Sequence, residues 1–407
     1  MAEIVKQREL RVLQVFDSLG VGGAETWLMS LLKYFREAND SLPLRVNTHI
    51  CLTSGASAVF DEQAKSLGAS LHYLRYYRRR LPAFARQFRR VLAIGNYHAI
   101  HDHQGYTAGI HFLLGLGQLP PVRIAHVHNP AYQLHEHNAD WASRTAKRYG
   151  KWLVSRLATS IAGTSARILR EYGYGPELAS HRARAVYCGF DVSRFTGDEK
   201  KHRAELRDEL RWPADAKIVL FVGRLGGEEL AVGGRSHKNP LFALEVVAKC
   251  IAAEPNVRLA YVGQNGEMRP VLEGRIHELN LVDQVRFLGL RSDVPHLMLA
   301  ADALLFPSSA EGLGMVTVEA QAAGLPILAS SSTPDECVVV PALVEFLSLD
   351  EAATVWSSHL LEIMARRRPQ NAIANAAVAA SPFSIENSAR AVLSLYTAGR
   401  SDFAVGD

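Results

Sequence analysis

Residues 308–326, SSAEGLGMVTVEAQAAGLP, set two carboxylates on either side of a Gly-x-Gly turn. Glu311 precedes Gly312 and Gly314, and Glu319 lies in a helical pattern that closes at Gly324, just before Pro326. Glycine followed by proline is the usual chemistry of a helix end. A glycine-lined helix start offers the N–H groups of Gly314, Met315 and Val316 together with the positive end of the macrodipole, which suits a phosphate. Glu319, five residues on, stands about 7.5 Å along the helix axis. That matches the reach from a nucleotide's diphosphate to its ribose, whose two hydroxyls one carboxylate can accept. Glu311, on the preceding loop, would face the transferred group instead. Taken singly, these are equally well an acid near a helix start and a solvated helix residue; the glycine spacing makes the combination specific.

A second set lies in FVGRLGGEELAVGGRSHKNPLFALEVV, residues 221–247. Arg224 leaves the end of a strand pattern and Lys238 precedes a helix opened by Asn-Pro, so both can reach one crevice and neutralise a diphosphate leaving group. Arg235 is a rival for either role, and the glycines between them suggest a mobile flap. Near the start, DSLGVGGAET (17–26) turns through Gly20, Gly22 and Gly23 into a helix. Glu25 occupies the place of the third glycine of a dinucleotide fingerprint, and no acid ends the second strand, so a close-approach glycine loop is expected and NAD binding is not.

Histidines form the third set. His101 and His103 make one His-x-His pair, and AHVHNPAYQLHEHN (125–138) adds His126, His128, His135 and His137. Residues two apart on a strand share a face, so each pair is either a chelate or a pair of cleft-lining imidazoles.

These residues need strand ends and helix starts to hold them. Apolar runs alternate with helical patterns along almost the whole chain, the sequence form of parallel sheets covered by helices. Strands are predicted at 11–16, 45–51, 70–74, 97–102, 122–127, 158–163 and 183–187, then at 217–223, 257–263, 285–289, 302–307 and 326–330. A chain of 407 residues with 48% hydrophobic and 21% charged residues fits two doubly wound α/β domains. The expected boundaries are 1–189 and 190–384, with a helix at about 385–407 packing back on the first domain.

A net charge of +4 allows anionic small molecules and is too small to argue for nucleic acid. Four scattered cysteines with no C-x-x-C indicate neither disulfides nor a thiolate metal site, so a cytoplasmic setting is expected. No apolar run has the length of a spanning helix. RYYRRRLPAFARQFRR (75–90) interleaves arginines with Tyr76, Tyr77, Phe84 and Phe88. It reads either as an interfacial segment on anionic lipid at the inner face of the membrane or as a solvated helix face.

Together GVGGAET, VRIAHVHN, ATSIAGTSARI, FVGR…HKNP, LGLRSDVPHLMLAADALLFPSSAEGLGMVTVEAQAAGLPILAS and FLSLD resemble family four of the retaining glycosyltransferases, and most of all its exopolysaccharide-building branch. The resemblance implies a GT-B fold, two Rossmann-like domains facing a central cleft, with an acceptor-side first domain and a donor-binding second domain. It implies that Glu319 holds the ribose, Glu311 the donor sugar, and Arg224 and Lys238 the diphosphate, beside the backbone of Gly314, Met315 and Val316. Arg291 would border the base, and Gly22 and Gly23 would let the first domain approach the donor phosphates. His128 would meet the donor sugar, with His126 as its substitute and His103 on the acceptor side; no metal and no cofactor are expected. The implied reaction moves a sugar from a UDP- or GDP-sugar to a glycan or lipid-linked glycan in cell-surface polysaccharide synthesis. Two rivals stand: a metal-dependent hydrolase using the His-x-His pairs, and a silent nucleotide-sugar-binding protein.

Overall fold

The structure is a computed structural model that describes residues 8–38, 44–77, 80–129, 141–226, 237–366 and 368–398, with the backbone alone at 141–143. The chain divides into two compact units, Met1–Phe190 with Ile385–Asp407, and Asp191–Ser384.

The first unit runs β1 (Arg8–Phe16), α1 (Gly23–Glu37), β2 (Leu44–Leu52), α2 (Asp61–Ser66), β3 (Ser70–Tyr73), α3 (Leu81–Gly95), β4 (Ala99–Asp102) and α4 (Thr107–Leu114). It continues with β5 (Val122–Val127), α5 (Trp141–Leu157), β6 (Ser160–Gly163), α6 (Ala166–Glu171), α7 (Gly175–Ala179) and β7 (Ala183–Ala185). The seven strands are parallel in the order β3-β2-β1-β4-β5-β6-β7, so the strand order reverses between β1 and β4. Alternation along the strands divides the side chains by face. Leu13, Val15, Ile100, Ala125 and Val127 pack with Phe84 and Phe88 of α3, Phe112 of α4 and Val154 of α5. Gln14, His101 and His126 therefore point to the opposite face, which meets α1.

The second unit runs α8 (Glu199–Glu209), β8 (Lys217–Val222), α9 (Pro240–Ala253), β9 (Val257–Val262), α10 (Met268–Glu278), β10 (Val285–Gly289), α11 (Val294–Ala300) and β11 (Ala303–Phe306). After these come α12 (Met315–Ala322), β12 (Ile327–Ser330), β13 (Val344–Leu347), α13 (Ala353–Ala365) and α14 (Asn371–Ala380). Its six parallel strands lie in the order β10-β9-β8-β11-β12-β13, reversing between β8 and β11. Strands such as KIVLFV and ALLF are buried almost end to end, as a sheet covered on both faces requires. Their core is completed by Trp356 and Leu360 of α13 and Leu244 and Val247 of α9. Strand β13 has no counterpart in the sequence reading, because VEFL is a short, half-buried edge strand without a continuous apolar run.

A final helix, α15 (Ile385–Tyr396), belongs to the first unit and packs on α1. Trp27 Nε1 donates to Ser388 Oγ at 2.9 Å, and Ile385 N donates to Phe190 O at 3.0 Å.

Candidate active site

In open parallel sheets ligands sit beyond the carboxyl ends of the strands, where the strand order reverses. Each unit brings most of its predicted residues to that place on its own sheet; Arg291, after the edge strand β10, stands apart.

In the second unit, the loop after β11 is stitched to the segment before α9. Ser309 N donates to His237 O at 2.8 Å, and Ser308 Oγ lies 3.0 Å from the same carbonyl. This joins Glu311 to Lys238. Lys238 Nζ and Ser308 Oγ each stand 2.5 Å from Glu311 Oε1, and the ammonium lies 5.0 Å over the Phe306 ring. His237 Nε2 is 4.0 Å from the same oxygen. Burial, the larger effect, pushes the His237 ring down to about 4 against the pull of Glu311, so the ring is neutral near pH 7. The charge of Arg224 is also felt at His237, while the Arg224 side chain itself is exposed. Lys238 thus pairs with Glu311 directly, while Arg224, from the other end of the segment, acts on the neighbouring His237. Arg235 lies outside the described residues.

Gly314 caps α12 with φ +83°, a left-handed conformation open to glycine. A β-carbon there would also come 2.9 Å from Thr333 Cγ2. The first-turn N–H groups of Met315 and Val316 have no carbonyl one turn earlier to bond within the helix. Glu319, on the same helix, is half-buried rather than solvated, and its carboxylate makes no hydrogen bond to another described residue. Burial pushes its carboxyl up to about 7, and the charge of Arg194 opposes the rise.

Arg291, expected at the base, has its guanidinium closed by two carboxylates. Its Nε and Nη2 each lie 2.7 Å from Asp293, and Nη2 lies 3.2 Å from Glu209. The side chain ties the loop after β10 to α8, which leaves little of its hydrogen-bonding capacity for a base.

Sequence reasoning passed over two glycines beside this site. A β-carbon on Gly263 would fall 2.1 Å from Gly223 O, and one on Gly266 2.2 Å from Leu225 O. The loops after β8 and β9 therefore pack backbone on backbone. The spacing G-x-x-G at the end of β9 was the available signal.

In the first unit, Gly22 precedes α1, and Glu25 folds back over it; a β-carbon on Gly22 would meet Glu25 Oε2 at 2.2 Å. The residue that breaks the dinucleotide fingerprint thus fills the space above the turn. Gly23 has open space around it.

The histidines form one cluster at the ends of β4 and β5. His101 Nε2 lies 3.0 Å from His126 Nδ1, and His103 Nδ1 lies 2.8 Å from His128 Nε2. Gln14 of β1 and Tyr396 of α15, neither of them singled out from the sequence, complete the cluster. Gln14 Oε1 is 2.9 Å from His103 Nε2, Gln14 Nε2 donates to Tyr396 Oη at 2.7 Å, and that hydroxyl is 3.0 Å from His101 Nδ1. A glutamine inside the apolar run RVLQVF was a usable signal; Tyr396 offered none. Trp27 meets all four rings, nearest at His126 with 5.5 Å between centroids.

Burial pushes His101 and His128 down to about 3, and His103 and His126 well below their ordinary value. All four are neutral. Ligand atoms of His101, His103 and His126 lie within 4.8 Å of one another. His101 and His126 are only 4° from parallel, His103 is tilted 33° and 30° to them, and His101 Nε2 and His126 Nδ1 already face each other at 3.0 Å. His135 and His137, which a metal site would have to recruit, lie outside the described residues.

In segment 75–90, Phe84 and Phe88 are core residues at 1% and 0% exposure, and Tyr76 packs against them; Tyr77 alone of the four aromatic residues is exposed. Residues 78 and 79 lie outside the described residues.

Two family models match the chain: Glycosyltransferase Family 4 over residues 21–194, and Glycosyl transferases group 1 over residues 202–378. The chain is 26% identical to "Putative glycosyltransferase EpsF" of Bacillus subtilis (strain 168), over 95% of this chain and 96% of that protein. It is 27% identical to D-inositol 3-phosphate glycosyltransferase of Corynebacterium urealyticum, over 74% of this chain and 71% of that one. Among solved structures, Anabaena HepE in complex with UDP and glucose superposes with a TM-score of 0.72 at 19% identity, over 96% of this chain and all (100%) of that one. Sucrose-phosphate synthase from Thermosynechococcus elongatus does so at 0.67 and 20% identity, over 95% and 98%. The two parallel sheets, their reversal points and the residues gathered there fit these matches: the chain belongs to glycosyltransferase family 4 and has the GT-B fold.

Proposed function

We propose that this glycosyltransferase uses a UDP-sugar, with a GDP-sugar as the alternative donor, and retains the anomeric configuration as it moves the sugar to a glycan or lipid-linked glycan in cell-surface polysaccharide synthesis. The observation that carries the reading is the Lys238–Glu311 pair at the reversal point of the second sheet, beside a helix start capped by Gly314. A diphosphate set against the N–H groups of Met315 and Val316 would share the Lys238 ammonium with Glu311 and draw in the exposed Arg224. Charge grows on the diphosphate as the sugar leaves, so these cations grip the transition state more than the ground state. In a retaining reaction without a protein nucleophile, the departing phosphate oxygen takes the acceptor's proton as the acceptor oxygen bonds to the sugar carbon. Glu311 then positions the sugar, Glu319 accepts the ribose hydroxyls, and no resident metal or cofactor takes part. The HepE structures with UDP and with UDP-glucose favour uridine over guanosine.

The membrane contact is proposed on a different surface from the arginine-rich segment alone. Helices α3, α4 and α5 cover one face of the first sheet, and none carries an aspartate or glutamate. Exposed on α3 are Arg86, Arg89 and Arg90, and on α5 Arg144, Arg148 and Arg156. Tyr149 and Trp152 of α5 are half-exposed at 50% and 51%, with Arg156 over the Trp152 ring. Cations with interfacial aromatics and no acids fit an anionic lipid surface, where a lipid-linked acceptor would be met.

Calorimetric titration with UDP tests the donor site, and NMR of the product formed from a panel of UDP- and GDP-sugars tests transfer and stereochemistry. Wild-type protein is expected to bind UDP, Glu319→Ala to abolish binding, and the product to keep the donor's anomeric configuration. Undiminished binding by Glu319→Ala would remove the ribose assignment, and binding without transfer to any acceptor would favour the silent binding protein.

A further inference from the structure

The four histidines, His101 and His126 buried and His103 and His128 partly so, are joined through one amide. From His128 the contacts run to His103, Gln14, Tyr396, His101 and His126, each at 3.0 Å or less. A neutral imidazole has one N–H and one bare nitrogen, so fixing either end of such a chain fixes every proton in it. Gln14 Oε1 accepts from His103 Nε2–H; His103 Nδ1 is then bare and accepts from His128 Nε2–H. On the other arm Gln14 Nε2 donates to Tyr396, whose O–H donates to His101 Nδ1, and His101 Nε2–H donates to His126 Nδ1. Two atoms are left over: His128 Nδ1, a bare acceptor, and His126 Nε2–H, a donor. Both are buried and without a hydrogen-bond partner among the described residues.

We propose that Gln14 and Tyr396 are positioning residues that impose one proton order on His101, His103, His126 and His128, and so keep His128 Nδ1 as a hydroxyl acceptor and His126 Nε2–H as a hydroxyl donor. The use of those atoms on a sugar hydroxyl rests on the transferase reading; the proton order does not. The alternative occupant, a metal ion, needs an unoccupied lone pair at each of His101, His103 and His126, and in this order each bare Nδ1 already accepts a hydrogen bond. Burial agrees with it, since it holds all four rings neutral.

Nitrogen-15 NMR of the full chain labelled at histidine reads each tautomer directly. In wild-type protein all four rings are expected to carry their proton on Nε2. Two substitutions at one position should then reverse opposite arms. Gln14→Leu sets His103 Nε2–H against a hydrocarbon, and reversing the arm shifts the unpaired N–H to His128 Nδ1, the atom proposed to meet a hydroxyl, so His103 and His128 should move their protons to Nδ1 while His101 and His126 keep theirs. Gln14→Glu, at a pH where the new carboxyl is ionised, makes both oxygens acceptors; Tyr396 then donates to it, and His101 and His126 should reverse while His103 and His128 do not. Either variant suffices if the other fails to fold. A wild-type proton on any Nδ1, reversal in neither folded variant, or a stoichiometric metal retained on the histidines would overturn the proposal. With donor and acceptor in hand, Gln14→Leu should lower kcat about tenfold and leave UDP affinity unchanged. A wild-type protein that binds no UDP yet shows this proton order would sink the transferase reading and leave the relay standing.

Discussion

A carboxylate that accepts two hydroxyls must be ionised, and burial pushes Glu319 up to about 7. UDP affinity should therefore fall about tenfold for each pH unit below 7 and level off above it; titrations between pH 6 and 8 that show a flat affinity would contradict this. The same shift bears on stability with a definite sign. The folded protein holds this proton more tightly than an unfolded glutamate titrating near 4.5. Ionising Glu319 thus opposes folding progressively above pH 4.5, and the whole effect is present above 7. Glu319→Gln should accordingly stabilise the ligand-free protein at pH 8 by about 2 kcal/mol while weakening UDP at least tenfold, an exchange of stability for function. At this scale the structure pairs Lys238 with Glu311 and sets Gly314 at the helix start, and these three residues and Glu319 were legible in the sequence as candidates through glycine spacing and charge type. The wiring of the histidines was not, because Gln14 and Tyr396 meet across 382 positions.

Helices α3 and α5 show how far periodicity carries and where it stops. The pattern LPAFARQF marks an amphipathic helix, yet only packing shows that Phe84 and Phe88 fill the core and that the arginines keep the outer face. Exposed aromatics stand instead on α5, as Tyr149 and Trp152, which the sequence reading had not connected with lipid. Sedimentation with vesicles of phosphatidylglycerol and phosphatidylcholine is expected to bring the protein down, more weakly as salt rises, whereas vesicles of phosphatidylcholine alone should not. Arg148→Glu combined with Arg156→Glu should weaken the association at least tenfold, at about 1 kcal/mol per cation. Equal binding by that variant would move the contact elsewhere. The edge strands divide: β3 and β10 lie within a residue of their expected bounds, whereas β13 went unseen and β7 is shorter than its apolar run suggested.

At the scale of the whole molecule, the buried histidines make acid a stress. His101 and His128 titrate near 3 in the folded protein and near 6.5 when unfolded. The unfolded chain therefore takes up protons first, and stability is lost as the pH falls from 6.5 towards 3. The loss is on the order of 2 kcal/mol for each of the two rings by pH 5. Melting temperature should drop clearly between pH 7 and 5, and a constant value would show that the rings already share protons with solvent. The topology also orders the events of synthesis. The segment Asp191–Ser384 is strung between two parts of the first unit, so a ribosome delivers a complete second sheet before Ser388 can reach Trp27 or Tyr396 can reach Gln14. Until then the nascent histidine cluster lacks its cover, and the enzyme stays unfinished long after most of its length has been made.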